Sequence, residues 1–254
     1  MVRKVFRTLR TALGYGVDEG LLNRNPSDPI RKLLPKRGRQ VKGTLTPAEA
    51  RALLAAADGE RLAALIDVAL DSGCRMGELL ALTWKDYDRA GGLLSITKAL
   101  SAIGGRPALK EAKTKKGVRS VVLSFARPAL DAHHKRMEAE GRDVEAGLIL
   151  CDGRGGYLRK SNLTRRFFDP VAKRAGLDHL TFNWLRHSSA SLLLAAGTNV
   201  VTVSERLGHA SPAFTLSTYS HAVKGLQAGA ADQLKAILDP PKKKLAGKRR
   251  GPAH

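Results

Sequence analysis

The chain has few of the residues that build disulfide frameworks, metal sites or cofactor sites. Cys74 and Cys151 are its only cysteines, which suits small core residues in a reducing cytosol rather than a disulfide framework. The sequence has no His-x3-His or Cys-x2-Cys spacing and no paired acidic ligands, so we predict no metal. It also has no glycine-rich phosphate loop, so we predict no nucleotide and no other cofactor.

Long hydrophobic runs are missing as well. The run Leu192–Ala196 is far shorter than the ~20 apolar residues that cross a bilayer. The first residues do not resemble a signal segment. The sequence therefore predicts no membrane partner and a cytoplasmic protein.

Acidic residues are scarce relative to basic ones. The chain carries 44 Lys and Arg against 23 Asp and Glu, a formal net charge of +21. So large an excess repels itself unless a polyanion is bound, and nucleic acid is the favoured partner. A basic protein of another kind, such as a ribosome-associated factor, is the alternative on composition alone.

The periodicity of apolar residues predicts a mainly α fold with a small antiparallel β-sheet (α+β). Apolar residues recur every four positions over 2–19, which indicates an amphipathic helix. Two strands are predicted at 93–97 and 118–123, joined by a long basic hairpin rich in Gly and Lys. Further helices are predicted over 47–57, 60–72, 76–83, 127–141, 160–175, 184–196, 199–207, 211–220 and 226–238.

Basic residues concentrate in a linker, in the hairpin and in the C-terminal tail. The segment 35–43 has almost no apolar side chains and can lie along a phosphate backbone. The predicted DNA-binding residues are Lys36, Arg37, Arg39, Lys42, Lys115, Lys116 and Arg119. Lys113, also in the hairpin, is a candidate to protonate a leaving alkoxide, although Lys115 and Lys116 compete for that role.

Two arginines are candidates to bind one phosphate. Arg75 follows Gly73 at a helix start, and Glu78 is one turn further on, so Glu78 can orient the guanidinium. An ordinary surface ion pair is the alternative for these two residues. Arg186 can donate two hydrogen bonds to a phosphate.

Four further residues near the C-terminus complete the candidate site. Asn183 lies on the same helix face as Arg186, whereas His187 points about 100° away and is better explained by packing or support than by acid–base chemistry. His209 follows Gly208 and could project into a cleft or cap a helix. Tyr219 is a candidate nucleophile, but a phenol with a pKa near 10 needs nearby cations and a proton acceptor.

In this order, the motifs resemble those of the tyrosine recombinase family, the phage-type integrases. Gly73-Cys-Arg75-Met-Gly-Glu78-Leu is similar to the family's first arginine segment, and Leu185-Arg186-His187 and Leu207-Gly208-His209 match its later boxes. Lys113 and Tyr219 fall at the positions of the family's lysine and nucleophile.

The resemblance implies site-specific DNA recombination, with integration or excision of a mobile element. Tyr219 would form a 3′-phosphotyrosyl bond, Lys113 would act as general acid, and Arg75, Arg186 and His209 would hold the phosphate, with Asn183 also in the site. The implied partners are double-stranded DNA and three further copies of the chain, in a tetramer on two DNA sites associated with a prokaryotic or phage nucleoid.

The resemblance also divides the chain. It implies a remnant of a helical DNA-clamping domain at 1–36, a basic linker at 37–45, a catalytic domain at 46–225, and a C-terminal helix and tail at 226–254. Because the family's clamping domain is longer, the chain is expected to be truncated at its N-terminus.

Asn183 departs from the family pattern, which has histidine there. An amide cannot take up a proton at neutral pH, so retained but slower catalysis is expected. A DNA-binding relic without activity and a type IB topoisomerase-like relaxing activity remain the alternatives.

Overall fold

The computed structural model describes residues 2–35, 43–103, 106–111, 117–223 and 238. The chain divides into two compact units, Met1–Val41 and Lys42–His254. The predicted residues Lys36, Arg37, Arg39 and Lys42 of the linker, Lys113, Lys115 and Lys116 of the hairpin, and the helix at 226–238 apart from its last residue lie outside the described residues.

The first unit contains one long helix and a short 3-10 turn. Helix α1 (Val2–Asp18) has the predicted amphipathic pattern, and none of its residues is buried. The turn Pro29–Leu33 follows two X-Pro steps. The Asn25 side chain donates a hydrogen bond to the Arg10 carbonyl, and Arg10 pairs with Asp28 at 2.9 Å, which ties the returning chain to the helix.

The second unit begins with helices that pack into its main core. Thr46 caps α2 (Pro47–Ala57) in a reciprocal capping box with Glu49, as its sequence predicts. Helix α3 (Ala63–Ser72) is almost entirely buried, and α4 (Met76–Leu79) follows Arg75, which is its N-cap residue. The predicted helix over 76–83 is thus shorter than expected, because residues 80–81 form a turn and Thr83 then forms an isolated β-bridge with Leu148.

Two antiparallel sheets follow the first helices. Strands β1 (Tyr87–Asp88), β2 (Leu93–Ile96) and β5 (Arg119–Val122) form one sheet in that order. Strands β3 (Lys98–Ile103) and β4 (Arg106–Glu111) pair with each other in a second sheet. The segment between the two predicted strands is therefore itself a β-hairpin.

The remaining described chain is helical. Helix α5 (Arg127–Ala139) is followed by α6 (Lys160–Leu163), a π-helical turn (Thr164–Phe168) and α7 (Asp169–Arg174), which together occupy the predicted helix over 160–175. Helices α8 (Phe182–Ala195), α9 (Val200–Leu207) and α10 (Pro212–Val223) pack against one another. No helix of the described chain is long and apolar enough to cross a membrane.

An internal ion pair joins the end of α3 to α9 and to the chain before α5. The Asp71 carboxylate accepts hydrogen bonds from the backbone N–H groups of Ser124 and Ala126. Its other oxygen pairs with Arg206 at 2.9 Å. Because both hydrogen-bonding capacity and charge are matched, this buried carboxylate fixes the helices that carry the candidate site.

Candidate active site

Arg186 lies at the meeting point of two helix ends. Its guanidinium donates to the carbonyl oxygens of Gly73, at the end of α3, and Leu207, at the end of α9, both at 2.7 Å. Gly73 and Gly208 end these helices in the left-handed conformation, with φ of 65° at both. Carbonyls at helix C-termini carry partial negative charge, so this position suits a buried cation.

Arg186 stays charged in this position. Burial first, and then the nearby charge of Arg75, lower its pKa to about 10, which still leaves it protonated at neutral pH. Two of the five guanidinium N–H donors are used by the carbonyls, so others are available to a phosphate.

Arg75 stands at the start of α4, where Glu78 orients it. The Glu78 carboxylate accepts from the Arg75 backbone N–H and from its guanidinium, both at 2.8 Å. The Arg75 side chain is half exposed, whereas that of Glu78 is largely buried. The expected pairing of Arg75 with Glu78 is therefore present, and it leaves part of the guanidinium open to solvent.

Glu78 also binds Arg119. The sequence predicted Arg119 as a DNA-binding residue of the hairpin, but its side chain lies inside the protein. The side chain of Arg119 is only 6% exposed and lies 2.9 Å from Glu78, and its Nε–H donates to the Arg206 carbonyl at 2.8 Å. Arg119 begins β5, whose pairing with β2 directs this side chain inward. In this structure it supports Glu78 instead of presenting its charge on the surface.

The environment of Glu78 explains its charge. Burial raises the pKa of this carboxyl, but hydrogen bonding and charge from Arg119, and then from Arg75, outweigh burial and lower the pKa to about 2. Glu78 is thus ionised over the whole neutral range.

His209 follows Gly208 and is held by α10. Its Nδ1 lies 2.7 Å from the hydroxyl of Thr215, which is fully buried. Burial first, and then the positive charges of Arg186 and Arg75, lower its pKa to about 4. His209 is consequently neutral at pH 7, a form that can still donate one hydrogen bond.

Tyr219 is the largest fully buried side chain of the described chain, at 1% exposure. Helix α10 is kinked at this residue, with φ −119° and ψ 20°. The ring stacks on that of His209 with centroids 6.3 Å apart. Burial raises the pKa of the phenol, and the charges of Arg186 and Arg75 oppose that shift.

The hydroxyl of Tyr219 contacts His187, a residue for which the sequence favoured packing or support. The Tyr219 oxygen and His187 Nδ1 are 2.8 Å apart. On the other side of the imidazole, Nε2 is 2.9 Å from the Asn183 amide. The helical spacing correctly separates His187 from Arg186, but only the position of α10 decides which of the two faces the tyrosine.

The described part of the site thus brings together Arg75, Glu78, Asn183, Arg186, His187, His209 and Tyr219. Thr215 and Arg119 support this cluster and were missed in these roles. The i,i+4 spacing of Thr215 and Tyr219 puts them on one face of α10 and could have indicated the first. The described residues contain no cluster of His, Cys, Asp or Glu that could hold a metal ion.

Comparison with known proteins identifies a matching family and related sequences. Residues 43–225 match the sequence model of the Phage integrase family. The chain is 30% identical to a tyrosine recombinase XerC-like protein of Caldanaerobacter subterraneus subsp. tengcongensis, covering 91% of this chain and 64% of that protein. It is 27% identical to the ICEBs1 integrase of Bacillus subtilis, covering 93% of this chain and 66% of the integrase. The chain spans just under two thirds of the length of these relatives.

Solved structures show the same fold. The Tn1549 transposon integrase in complex with a circular intermediate DNA superposes with a TM-score of 0.73 at 20% identity, covering 93% of this chain and 78% of that one. The XerH site-specific recombinase bound to palindromic difH substrate has a TM-score of 0.58 at 25% identity, covering 80% of this chain and 56% of that one. The predicted fold class, mainly helical with small antiparallel sheets, is confirmed.

Proposed function

The chain belongs to the phage integrase family, and we propose that it is a site-specific recombinase that cleaves and rejoins DNA through a phosphotyrosyl intermediate. The observation that carries the proposal is the convergence of Arg75, Arg186 and His209 on one buried phenol. Two cations and a neutral imidazole donor match the non-bridging oxygens of a phosphate under attack.

In the proposed reaction, the Tyr219 oxygen attacks the scissile phosphorus and the bond to the 5′-oxygen breaks. The products are a 3′-phosphotyrosine and a free 5′-hydroxyl, with Lys113 proposed to supply the proton to the leaving oxygen. A 5′-hydroxyl from the partner strand then attacks the phosphotyrosine: its proton passes to Lys113, which gave one up in the first step, the new P–O bond forms, and Tyr219 leaves and regains the proton that it lost on attack. The phosphodiester energy is conserved at each step, so no nucleotide is consumed.

The proposed partners are two duplex DNA sites and three further copies of the chain. The similarity to the ICEBs1 integrase of Bacillus subtilis supports a role in integrating or excising a mobile element. This implies a protein that works with the DNA of a prokaryotic host or phage. We also propose that the chain consists of four parts: a helical DNA-clamping segment at 1–36, a basic linker at 37–45, a catalytic domain at 46–225 and a C-terminal segment at 226–254.

The test traps the covalent intermediate. The junctions of the genomic segment that carries the gene are sequenced, and a duplex probe of that sequence is made. The probe carries a nick beside the cleavage point. The short fragment released by cleavage then diffuses away, and the covalent adduct cannot be resealed. We expect a protein–DNA adduct on a denaturing gel with the wild type and none with Tyr219→Phe. Tyr157→Phe, a half-buried tyrosine on a β-bridge outside the cluster, is the matched control and should form the adduct.

The other candidate activities give different results in the same assay. A DNA-binding relic would shift the probe in a native gel but form no adduct. A topoisomerase-like enzyme would form the adduct and relax a supercoiled plasmid that carries one site, but would yield no recombinant from two sites. Absence of any adduct on the junction probe would contradict the proposed chemistry.

A further inference from the structure

Tyr219, His187 and Asn183 form a continuous row of hydrogen-bonding groups. The phenol oxygen lies 2.8 Å from His187 Nδ1, and His187 Nε2 lies 2.9 Å from the side-chain nitrogen Nδ2 of Asn183. Asn183 and His187 are four residues apart on α8, so they lie on one helix face. The imidazole is half-buried and the Asn183 side chain is exposed, so the row runs from the buried phenol towards solvent.

The phenol proton needs an acceptor, since the buried Tyr219 is un-ionised at neutral pH. His209 is poorly suited, because its Nδ1 is occupied by Thr215 and its pKa is about 4. Arginine cannot accept a proton, and neither can the Asn183 amide. Among the described residues of the site, His187 is the acceptor within hydrogen-bonding distance of the phenol.

We propose that His187 is the general base of strand cleavage and that Asn183 is the residue that positions it. As the Tyr219 oxygen bonds to phosphorus, its proton passes to His187 Nδ1, and the bond to the 5′-oxygen breaks. In the rejoining step, the imidazolium returns this proton to the departing Tyr219 oxygen, so the histidine ends unchanged. This inference rests on the proposed recombinase function.

Asn183 suits the positioning role because its carboxamide carries an NH2 donor and an oxygen acceptor of nearly the same size. The side chain can therefore present either group to His187 without moving its neighbours. When Nδ1 accepts the phenol proton, Nε2 carries a hydrogen in both the neutral and the charged imidazole. A half-turn of the amide exchanges its nitrogen, which faces Nε2, for its oxygen. The oxygen accepts from the Nε2–H and so holds the ring in the tautomer whose Nδ1 carries no hydrogen and can accept the phenol proton. The family has histidine at the position of Asn183. In the proposed arrangement the proton acceptor is instead His187, one helical turn further along α8.

The first test is His187→Gln in single-turnover cleavage of the nicked junction duplex. Glutamine keeps a hydrogen-bonding group near Tyr219 but takes up no proton, so we expect cleavage at pH 7 to slow by about 10²–10³-fold. Among the described residues, the charged and titratable groups around the pair include Arg75, Arg119, Arg186 and His209. They are unchanged in the variant, so a new pH dependence reports on His187.

The pH profile separates a base from a structural residue. Without a base, the rate should follow the phenolate fraction and rise about tenfold per pH unit, whereas the wild type should level off once His187 is neutral. Asn183→Leu provides a second variant with His187 intact: we expect about a tenfold loss with the levelling retained. A structural role would lower the rate equally at every pH, and this result would overturn the proposal.

A substrate with sulfur in place of the 5′-bridging oxygen separates base from acid. A thiolate leaves without protonation, so a residue that protonates the leaving group becomes dispensable on this substrate. We expect His187→Gln to remain equally slow on it; recovery to the wild-type rate would overturn the assignment. His134→Gln, on α5 against Trp84, should cleave both substrates like the wild type.

The outcomes also separate this inference from the proposed function. If the wild type forms no adduct, the recombinase proposal itself fails. If the wild type and His187→Gln form the adduct at equal rates with the same pH profile, the recombinase proposal stands and the base assignment fails. Circular dichroism melting of each variant identifies any that do not fold.

Discussion

Glu78 is a single buried carboxylate that organises two arginines of the site. It contacts Arg75 at 2.8 Å and Arg119 at 2.9 Å, and these cations hold its pKa near 2 despite burial. Because the folded-state pKa lies below the ordinary value of 4.5, the ionised group stabilises the fold above pH 4.5. This stabilisation disappears as the pH falls through about 2.

Replacing Glu78 with glutamine tests this coupling. The pKa difference between 4.5 and about 2 corresponds to at most about 3 to 4 kcal/mol, at about 1.4 kcal/mol per pKa unit. We expect Glu78→Gln to lower the free energy of unfolding by about that amount at pH 7 and by much less at pH 2.5, measured by urea titration. Glu138→Gln, exposed on α5, should leave the pH dependence as in the wild type; a constant deficit at both pH values would contradict the linkage.

At the scale of elements, the ends of α3 and α9 hold Arg186 through backbone carbonyls. Gly73, at the end of α3, has φ of 65°, and an added Cβ would lie 2.5 Å from Leu207 Cδ2. A side chain here therefore strains the turn and also pushes apart the two helix ends that bind Arg186. The positions of these carbonyls depend on how the helices end, not on any side chain of the site.

Gly73→Ala should accordingly impair both folding and cleavage. The matched control is Gly141→Ala, at φ 67° with no atom within 4 Å of the added Cβ, so it carries only the backbone strain of about 1–2 kcal/mol. We expect Gly73→Ala to lower the melting temperature further than Gly141→Ala and to reduce adduct formation, which Gly141→Ala should retain. Equal effects of the two substitutions would show that Leu207 yields freely.

The elements themselves were largely predictable, whereas their contacts were not. Periodicity and glycine punctuation predicted α2, α8 and α9 to within a few residues. The β3–β4 pairing was not identified, since glycine and lysine weaken a strand pattern and pairing partners supply what the local sequence lacks. Likewise, the inward course of Arg119 and the contact of His187 with Tyr219 depend on tertiary placement, which no local pattern specifies.

At the scale of the whole molecule, the charge balance is strongly positive, and the proposed DNA partner would have to neutralise it. Internal ion pairs such as Glu78 with Arg119 and Asp71 with Arg206 use one positive and one negative group each. They therefore leave the net charge of +21 unchanged. The excess must be balanced by counterions or by a polyanion. DNA binding would then release ions from the phosphate backbone, and affinity would depend on salt.

The salt dependence measures this contribution directly. For six to ten phosphate contacts, affinity should fall by about 10³–10⁵-fold between about 50 and 200 mM salt, with a slope of about −0.9 per contact. We expect such a decline for a short fluorescent duplex of arbitrary sequence, measured by anisotropy. Tyr219→Phe should give the same slope, because removing one buried hydroxyl changes no charge. A flat response would mean that the excess charge does not face DNA, and that groove contacts alone hold the complex.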